Sequence, residues 1–165
     1  GMNGINSNFT WGQTFFGQIP GSIGETSTFL ILLAGAYMVY TKIASWRIIF
    51  GTLAGMIVMS SALNLIGSDT NPMFAIPWYW HLTIGSFAFG LVYMATEPVS
   101  AANTNMGRWI YGISIGVIVV LIRVINPAFP EGMMLAILFA NLLAPAIDFT
   151  ITSLNTSRRM ERYNS

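Results

Sequence analysis

Five apolar runs dominate the pattern along the chain, and short stretches with more glycine, proline and charge separate them. Each run is close to the roughly 20 residues that an α-helix needs to cross about 30 Å of hydrocarbon. Because lipid offers no partners to main-chain N–H and C=O groups, each run should be a helix, which pairs them internally. The predicted helices are Thr26–Thr41, which is slightly short, Trp46–Ile66, Trp78–Thr96, Trp109–Ile125 and Gly132–Ile151. The pattern predicts an all-α polytopic membrane protein with five transmembrane helices.

The two ends of the chain differ from these runs. Residues 1–24 are polar with aromatic islands, which is typical of a segment at the membrane interface. Residues 25–152 form the predicted five-helix transmembrane unit, and residues 153–165 form a basic tail. The first 24 residues lack the basic start and apolar core of a secretory signal. We expect the chain to be a fragment of a longer protein.

Basic residues predict the orientation, because loops rich in Lys and Arg stay in the cytoplasm. With five crossings, six basic positions fall on one side: Lys42, Arg47, Arg108, Arg158, Arg159 and Arg162. The N-terminus of the fragment is therefore predicted to lie outside and its C-terminus in the cytoplasm. Arg123 is the exception, near the outer end of the fourth run.

Composition supports the membrane class and narrows the chemistry. Hydrophobic residues make up 54% of the chain and charged residues 8%, whereas soluble domains have about a quarter charged. The net charge of +1 without a basic stripe gives no reason to expect nucleic-acid binding. No cysteine is present, and the single histidine, His81, cannot alone build a zinc or bis-histidine haem site. Redox chemistry would need an organic cofactor or a partner.

Small residues recur at helix-packing spacing. Gly51 and Gly55 form a GxxxG sequence in the second run, and Gly112 and Gly116 form another in the fourth. Such spacing lets helix backbones approach closely in a membrane. We therefore predict that these glycines pack helices together.

The fifth run contains the strongest candidate for ion binding. Asn141, Pro145 and Asp148 lie on one helix face, and Pro145 leaves the carbonyl of Asn141 without its helical partner. Hard cations such as Na+ prefer oxygen ligands of this kind. Asp148 and Asn141 are therefore predicted to lie on an ion pathway, with Na+ at Asp148 and no other metal site. The alternative is a proline kink with an acid that extends to the interface.

Three further sets of residues are candidates. Glu97 ends the third run near the cytoplasmic boundary of the membrane, at a level similar to that of Asp148. It is predicted either to be a second carboxylate of the ion pathway or to pair with Arg108 or Arg47. On the other side, Arg123 and Glu131 are predicted to form a structural charge pair. Candidate ligand contacts lie around the start of the first run, where a helix cap is the alternative: Glu25, Thr26 and Ser27.

Several sequence strings resemble a known family. GSIGETST, GSDTNPMF, PWYWHL, MATEPVSA and LIRVINPAFPEGMMLAILFANLLAP are similar to the C-terminal half of the B subunit of the bacterial Na+-translocating NADH:quinone oxidoreductases. The resemblance runs nearly from end to end. The D subunit of Rnf-type electron transport complexes shares a shorter core, and the PEGMMLAIL string favours the B subunit. The family has aspartate after MAT, where this chain has Glu97.

The resemblance implies one repeat of a two-repeat fold similar to urea transporters, in a bacterial inner membrane. It implies a redox-driven sodium pump that passes electrons from NADH through flavins to ubiquinone. The family's FMN is bound covalently to the threonine of an SGAT motif that this chain lacks, so it is expected on the missing upstream half. Riboflavin is a further expected cofactor. Expected partners are the other membrane and peripheral subunits, the upstream half and the lipid bilayer, and the fragment alone should be inactive.

The sequence is also compatible with two other functions. A solute channel or facilitator could use the same urea-transporter-like repeat. A scaffold could use its helices only to pack against partner subunits.

Overall fold

The computed structural model describes residues 9–20, 24–67, 71–126 and 132–164 of the chain, and their regular structure is helical throughout. The α-helices are α1 (Trp11–Phe16), α2 (Thr28–Tyr40), α3 (Trp46–Ile66), α4 (Trp78–Thr83), α5 (Phe87–Phe89), α6 (Asn105–Ile125) and α7 (Gly132–Asn164). A short 3-10 helix, Pro72–Ala75, precedes α4, and a π-helix, Gly90–Met94, follows α5.

Three of these helices, α3, α6 and α7, are long and apolar enough to cross a membrane. Helix α3 has the bounds predicted from the sequence, and α6 ends at the predicted Ile125. Helix α7 continues past the predicted Ile151 to Asn164, through most of the segment expected to be a tail. Helix α2 is apolar but has only 13 residues. The protein is an integral membrane protein with at least these three helices of spanning length.

The third apolar run is not the continuous helix that we predicted. Helix α4 ends at Thr83, and Ile84 has an extended backbone with ψ 133°. Gly85 then has φ +62°, in the left-handed region that glycine adopts without a steric cost. The chain becomes helical again at Phe87 and widens into the π-helix. The prediction failed because hydrophobicity does not distinguish a continuous helix from two pieces joined at a glycine.

Helices α3 and α6 run in parallel and pack through their two GxxxG sequences. A Cβ atom on Gly112 would lie 2.7 Å from the carbonyl oxygen of Ile48, and one on Gly51 would lie 3.1 Å from that of Trp109. Trp46 and Trp109, near the start of each helix, meet edge to face with 5.7 Å between ring centroids. The predicted close approach of these helices is confirmed.

Helix α7 packs against α6 in the opposite direction. Gly132 faces Ile122, Asn141 contacts Tyr111, and Asp148 contacts Thr104. The core between these helices is formed by fully buried side chains: Tyr111, Ile115, Val119, Met133, Ala136 and Ala140. We call the end at which α3 and α6 begin the basic end, because Lys42, Arg47 and Arg108 lie there.

Candidate functional site

The carboxylate of Asp148 joins the middle of α7 to the start of α6. Its Oδ2 accepts a hydrogen bond from the main-chain N–H of Asn103 over 2.6 Å. Its Oδ1 accepts from the N–H of Thr104 over 3.1 Å and from the Thr104 hydroxyl over 2.6 Å. A Cβ atom on Gly107 would lie 2.6 Å from the same Oδ1, so glycine makes room for the carboxylate. Asp148 therefore fixes the turn from which α6 starts.

Thr104 connects Asp148 to the cap of α6. Its hydroxyl oxygen accepts a hydrogen bond from the N–H of Gly107 over 3.0 Å, the usual geometry of an N-cap. The same hydroxyl donates to Asp148, so the cap residue itself is held by a charged acceptor. The sequence analysis missed Thr104, although a threonine directly before a long apolar helix is an N-cap signal.

Asn141 lies two turns before Asp148 on α7 and contacts α6 through a second hydrogen bond. The hydroxyl of Tyr111 donates to Asn141 Oδ1 over 2.6 Å, and the Tyr111 side chain is fully buried. Pro145 lies within α7, which continues through it. Four oxygen-bearing groups thus lie between α6 and α7, from the partly exposed Asp148 to the core: Asp148, Thr104, Tyr111 and Asn141.

Glu97 folds back on the turn that follows it. Its two carboxylate oxygens accept hydrogen bonds from the N–H groups of Val99 and Ser100 and from the Ser100 hydroxyl, over 2.6–3.0 Å. The side-chain hydrogen bond from Ser100, followed by the main-chain ones from Ser100 and Val99, holds the pKa of Glu97 below its ordinary value. Glu97 and Asp148 therefore hold the two ends of the same connection, residues 97–104.

Neither arginine considered as a partner of Glu97 forms an ion pair with it among the described residues. Arg108 donates from Nε to the carbonyl oxygen of Ala102 over 3.3 Å. The guanidinium of Arg47 lies over the ring of Trp46, 4.9 Å from its centroid. The described residues also contain no group of three His, Asp or Glu side chains able to hold a metal ion.

Arg123 caps the break in the third apolar run. Its Nη1 donates to the carbonyl oxygen of His81 over 2.8 Å, and its Nη2 donates to that of Ile84 over 2.7 Å. The side chain is 4% exposed, and its guanidinium lies 5.7 Å from the centroid of the Phe87 ring. A buried arginine in an apolar run needs carbonyl or carboxylate partners, which was the signal available in the sequence. The predicted partner Glu131 lies outside the described residues.

The candidate ligand contacts around the start of the first run lie directly before α2. Ser27 is the N-cap of this helix, and its side chain accepts from the N–H of Leu30 over 3.4 Å. Glu25 and Thr26 lie in the turn just before it and are partly buried. His81 is buried in α4, next to the break that Arg123 caps.

Comparison with known proteins adds the following similarities. Residues 2–156 match the model of the NQR2, RnfD, RnfE family. Proteins named as the B subunit of Na(+)-translocating NADH-quinone reductase are similar along almost the whole chain. The one from Stutzerimonas stutzeri is 61% identical over 97% of this chain, and the one from Klebsiella pneumoniae (strain 342) is 58% identical over 93%. The chain spans only 40% and 37%, respectively, of the length of these two relatives.

Proposed function

Because the chain belongs to the NQR2, RnfD, RnfE family, we propose that it is part of the B subunit of a sodium-translocating NADH:quinone reductase. The observation that carries this proposal is the 61% identity to a protein of that name over 97% of the chain. Relatives from Stutzerimonas stutzeri, Neisseria meningitidis and Klebsiella pneumoniae that are 58–61% identical carry the name of this B subunit, which favours it over its Rnf-type counterpart. The substrates would be NADH, a quinone such as ubiquinone, and Na+.

The membrane arrangement that we propose is five crossings in a bacterial inner membrane, forming one repeat of a urea-transporter-like fold. Helices α3, α6 and α7 supply three crossings. Helix α2, about 20 Å long, and the broken unit from Trp78 to Met94 supply the other two. Lys42, Arg47 and Arg108 at one end support a cytoplasmic position for the basic end.

The covalent FMN of the complex is proposed to lie outside this chain. The family's covalent FMN needs the threonine of a Ser-Gly-Ala-Thr sequence, which this chain lacks. These residues therefore do not fit the attachment, and we derive no electron-transfer step through them. Riboflavin is a further proposed cofactor of the complex, and we assign no residue of this chain to it. The proposed partners are the rest of the B subunit and the other subunits of the complex.

The four oxygen-bearing groups between α6 and α7 support the part of the proposed ion pathway that runs through Asp148 and Asn141, and Glu97 is proposed as a further carboxylate at the other end of the connection 97–104. Carboxylate, hydroxyl and amide oxygens are ligands that a hard cation accepts. Asp148 is partly exposed, and three hydrogen bonds hold it at the start of α6. A Na+ ion that binds Asp148 would compete with the donors Asn103 and Thr104. Binding would thereby loosen the start of α6, and ion occupancy would be coupled to the position of this helix.

The test uses the intact complex with the substitution Asp148→Asn in this chain. It removes the charge but keeps one carbonyl oxygen as an acceptor. We expect the Na+ concentration for half-maximal quinone reduction to rise by about tenfold or more, and ²²Na+ uptake into proteoliposomes to fall. Gly107→Ala keeps the charge and displaces the carboxylate, so a smaller change in the same direction is expected. Glu161→Gln is the matched control, because Glu161 is an exposed acid farther along α7.

Two other outcomes would favour the alternatives. An unchanged Na+ dependence with reduced assembly of the complex would assign Asp148 a scaffold role only. Solute flux through the reconstituted B subunit without flavin would favour a channel or facilitator and would contradict the proposed function.

A further inference from the structure

A cavity of about 530 Å³ opens at the basic end, between the turn that joins α2 to α3, the start of α6 and the connection 97–104. Three of its lining residues are cationic: Lys42, Arg47 and Arg108. The residues that line it include no acid. Asp148 interacts electrostatically with Arg108, but it does not line the cavity. The two carboxylate oxygens of Asp148 accept hydrogen bonds from Asn103 and Thr104. The lining of the cavity therefore carries three positive charges and no negative one.

The turn between α2 and α3, which carries Lys42, is held by main-chain hydrogen bonds. Lys42 has φ +61°, an unusual left-handed backbone for a residue with a Cβ atom. Its N–H donates to the carbonyl of Val39, and the N–H groups of Ile43 and Ala44 both donate to the carbonyl of Met38, over 2.9–3.1 Å. Strained backbone that the surroundings hold in place is found preferentially at functional sites. The backbone that places Lys42 at the cavity is thus fixed by hydrogen bonds within the turn.

The arginines keep donors available for a ligand. Arg108 uses Nε for the carbonyl of Ala102, and among the described residues nothing accepts from its two Nη atoms. Arg47 contacts the ring of Trp46 through its guanidinium face, which leaves the N–H groups at its edge. Planar guanidinium groups of this kind bind phosphate oxygens through two parallel N–H donors.

Ser45 gives an independent indication of a missing acceptor. It precedes α3 as its N-cap residue, but its side chain forms no capping hydrogen bond. Ser45 lines the cavity, and its Oγ is a buried side-chain oxygen without a hydrogen-bond partner among the described residues. A buried hydroxyl without a partner costs free energy, which a bound acceptor would recover.

Apolar side chains at the rim favour a lipid as the source of the acceptor. Tyr40 is 85% exposed, Ile43 63% and Trp46 44%, beside the cations at the end of two membrane-length helices. Aromatic and cationic residues combine in this way at the level of lipid headgroups. We propose that the cavity binds the phosphate of an anionic phospholipid headgroup, with Arg47, Arg108 and Lys42 as the charge partners and Ser45 as a hydroxyl donor. This inference rests on the membrane-spanning helices and does not depend on sodium transport.

The experiment measures lipid binding to the intact, delipidated complex in detergent by native mass spectrometry. The probes are phosphatidylglycerol, phosphatidylcholine and inorganic phosphate. We expect phosphatidylglycerol to bind at least tenfold more tightly than phosphatidylcholine. The double substitution Arg47→Gln/Arg108→Gln should abolish this preference. The control Arg158→Gln removes a positive charge from the exposed end of α7 and should leave the preference unchanged.

Ser45→Ala keeps the test decisive if the double variant does not assemble. Because Ser45 Oγ is buried without a partner within the described residues, its loss should not lower the melting temperature of the lipid-free complex. It should weaken phosphatidylglycerol binding about tenfold, the value of one hydrogen bond to a charged group.

Three outcomes with the lipid probes would overturn the proposal. They are equal binding of the two lipids to the wild-type complex, an equal loss in Arg158→Gln and the double variant, and unchanged binding in Ser45→Ala. Inorganic phosphate that binds as tightly as phosphatidylglycerol would also overturn it, because the site would then serve a soluble anion. None of these readouts requires turnover, so they are independent of the sodium-pump proposal.

Discussion

The guanidinium of Arg123 donates a hydrogen bond to the main-chain carbonyl oxygen of His81, 42 residues earlier in the chain, over 2.8 Å. A second bond reaches the carbonyl of Ile84, on the other side of the end of α4. Both carbonyls lie where the third apolar run loses its helical hydrogen bonds. Unsatisfied main-chain groups cost several kcal/mol each in a bilayer, so Arg123 makes the broken helix possible.

Replacement of Arg123 is expected to destabilise the protein strongly. Arg123→Met keeps much of the side-chain volume but removes both donors, and we expect a loss of about 3 kcal/mol. Arg123→Lys keeps the charge but not the fork that reaches two carbonyls, so it should restore only part of this loss. The measurement is the thermal unfolding of the intact complex in detergent. Arg158→Met is the control, and equal melting temperatures for Arg123→Met and wild type would contradict the capping role.

The contact between α3 and α6 predicts a second large effect. A side chain on Gly116 would overlap the carbonyl of Thr52, and one on Gly55 would overlap that of Ile113. Since these are backbone atoms, Gly55→Val or Gly116→Val should force the helices apart and cost about 3 kcal/mol or more. The yield and melting temperature of the assembled complex measure this. Gly12→Ala is the control, because no atom lies within 4 Å of the added Cβ. Normal stability of both valine variants would exclude the tight crossing.

The turn after the π-helix predicts a pH dependence. Hydrogen bonds from Ser100 and Val99 lower the pKa of Glu97 in the folded state. The stabilisation is therefore complete above the ordinary pKa of a glutamate and is lost as the pH falls through the lowered value. Ser100→Ala removes the main cause, so the pKa of Glu97 should rise towards its ordinary value. Infrared difference spectra of the carboxyl band of Glu97, identified with Glu97→Gln, give the titration. A pKa that stays unchanged in Ser100→Ala would contradict this origin of the shift.

The residues of α6 and α7 show which parts of the candidate site could be predicted from the sequence. Asp148 and Asn141 were found because polar side chains in an apolar run need a reason to be there. Their partners Thr104 and Tyr111 lie 44 and 30 residues away along the chain, and no local pattern pairs them. The ion-pathway roles of Asp148, Asn141 and Glu97 stay predictions, because hydrogen bonds alone do not report on ion transfer.

The glycines also show what the sequence predicts and what only the structure reveals. GxxxG spacing in two runs was enough to predict close packing, because only small residues allow such an approach. The sequence did not say that the two motifs pack against each other, with α3 and α6 parallel. In the sequence, Gly85 is one of several small residues of the third run, and only its positive φ identifies it as the point of the break.

The sequence by itself determined that this is a helical membrane protein, where its long apolar helices lie, and to which family it belongs. These properties depend on local hydrophobicity and on strings of residues that can be read one segment at a time. Only the tertiary structure decided that the third run is broken, that Arg123 caps the break, and that Asp148 holds the start of α6. The physical reason is that a buried polar group takes its partner from wherever the fold brings a donor or acceptor, and this partner can lie far away in the chain.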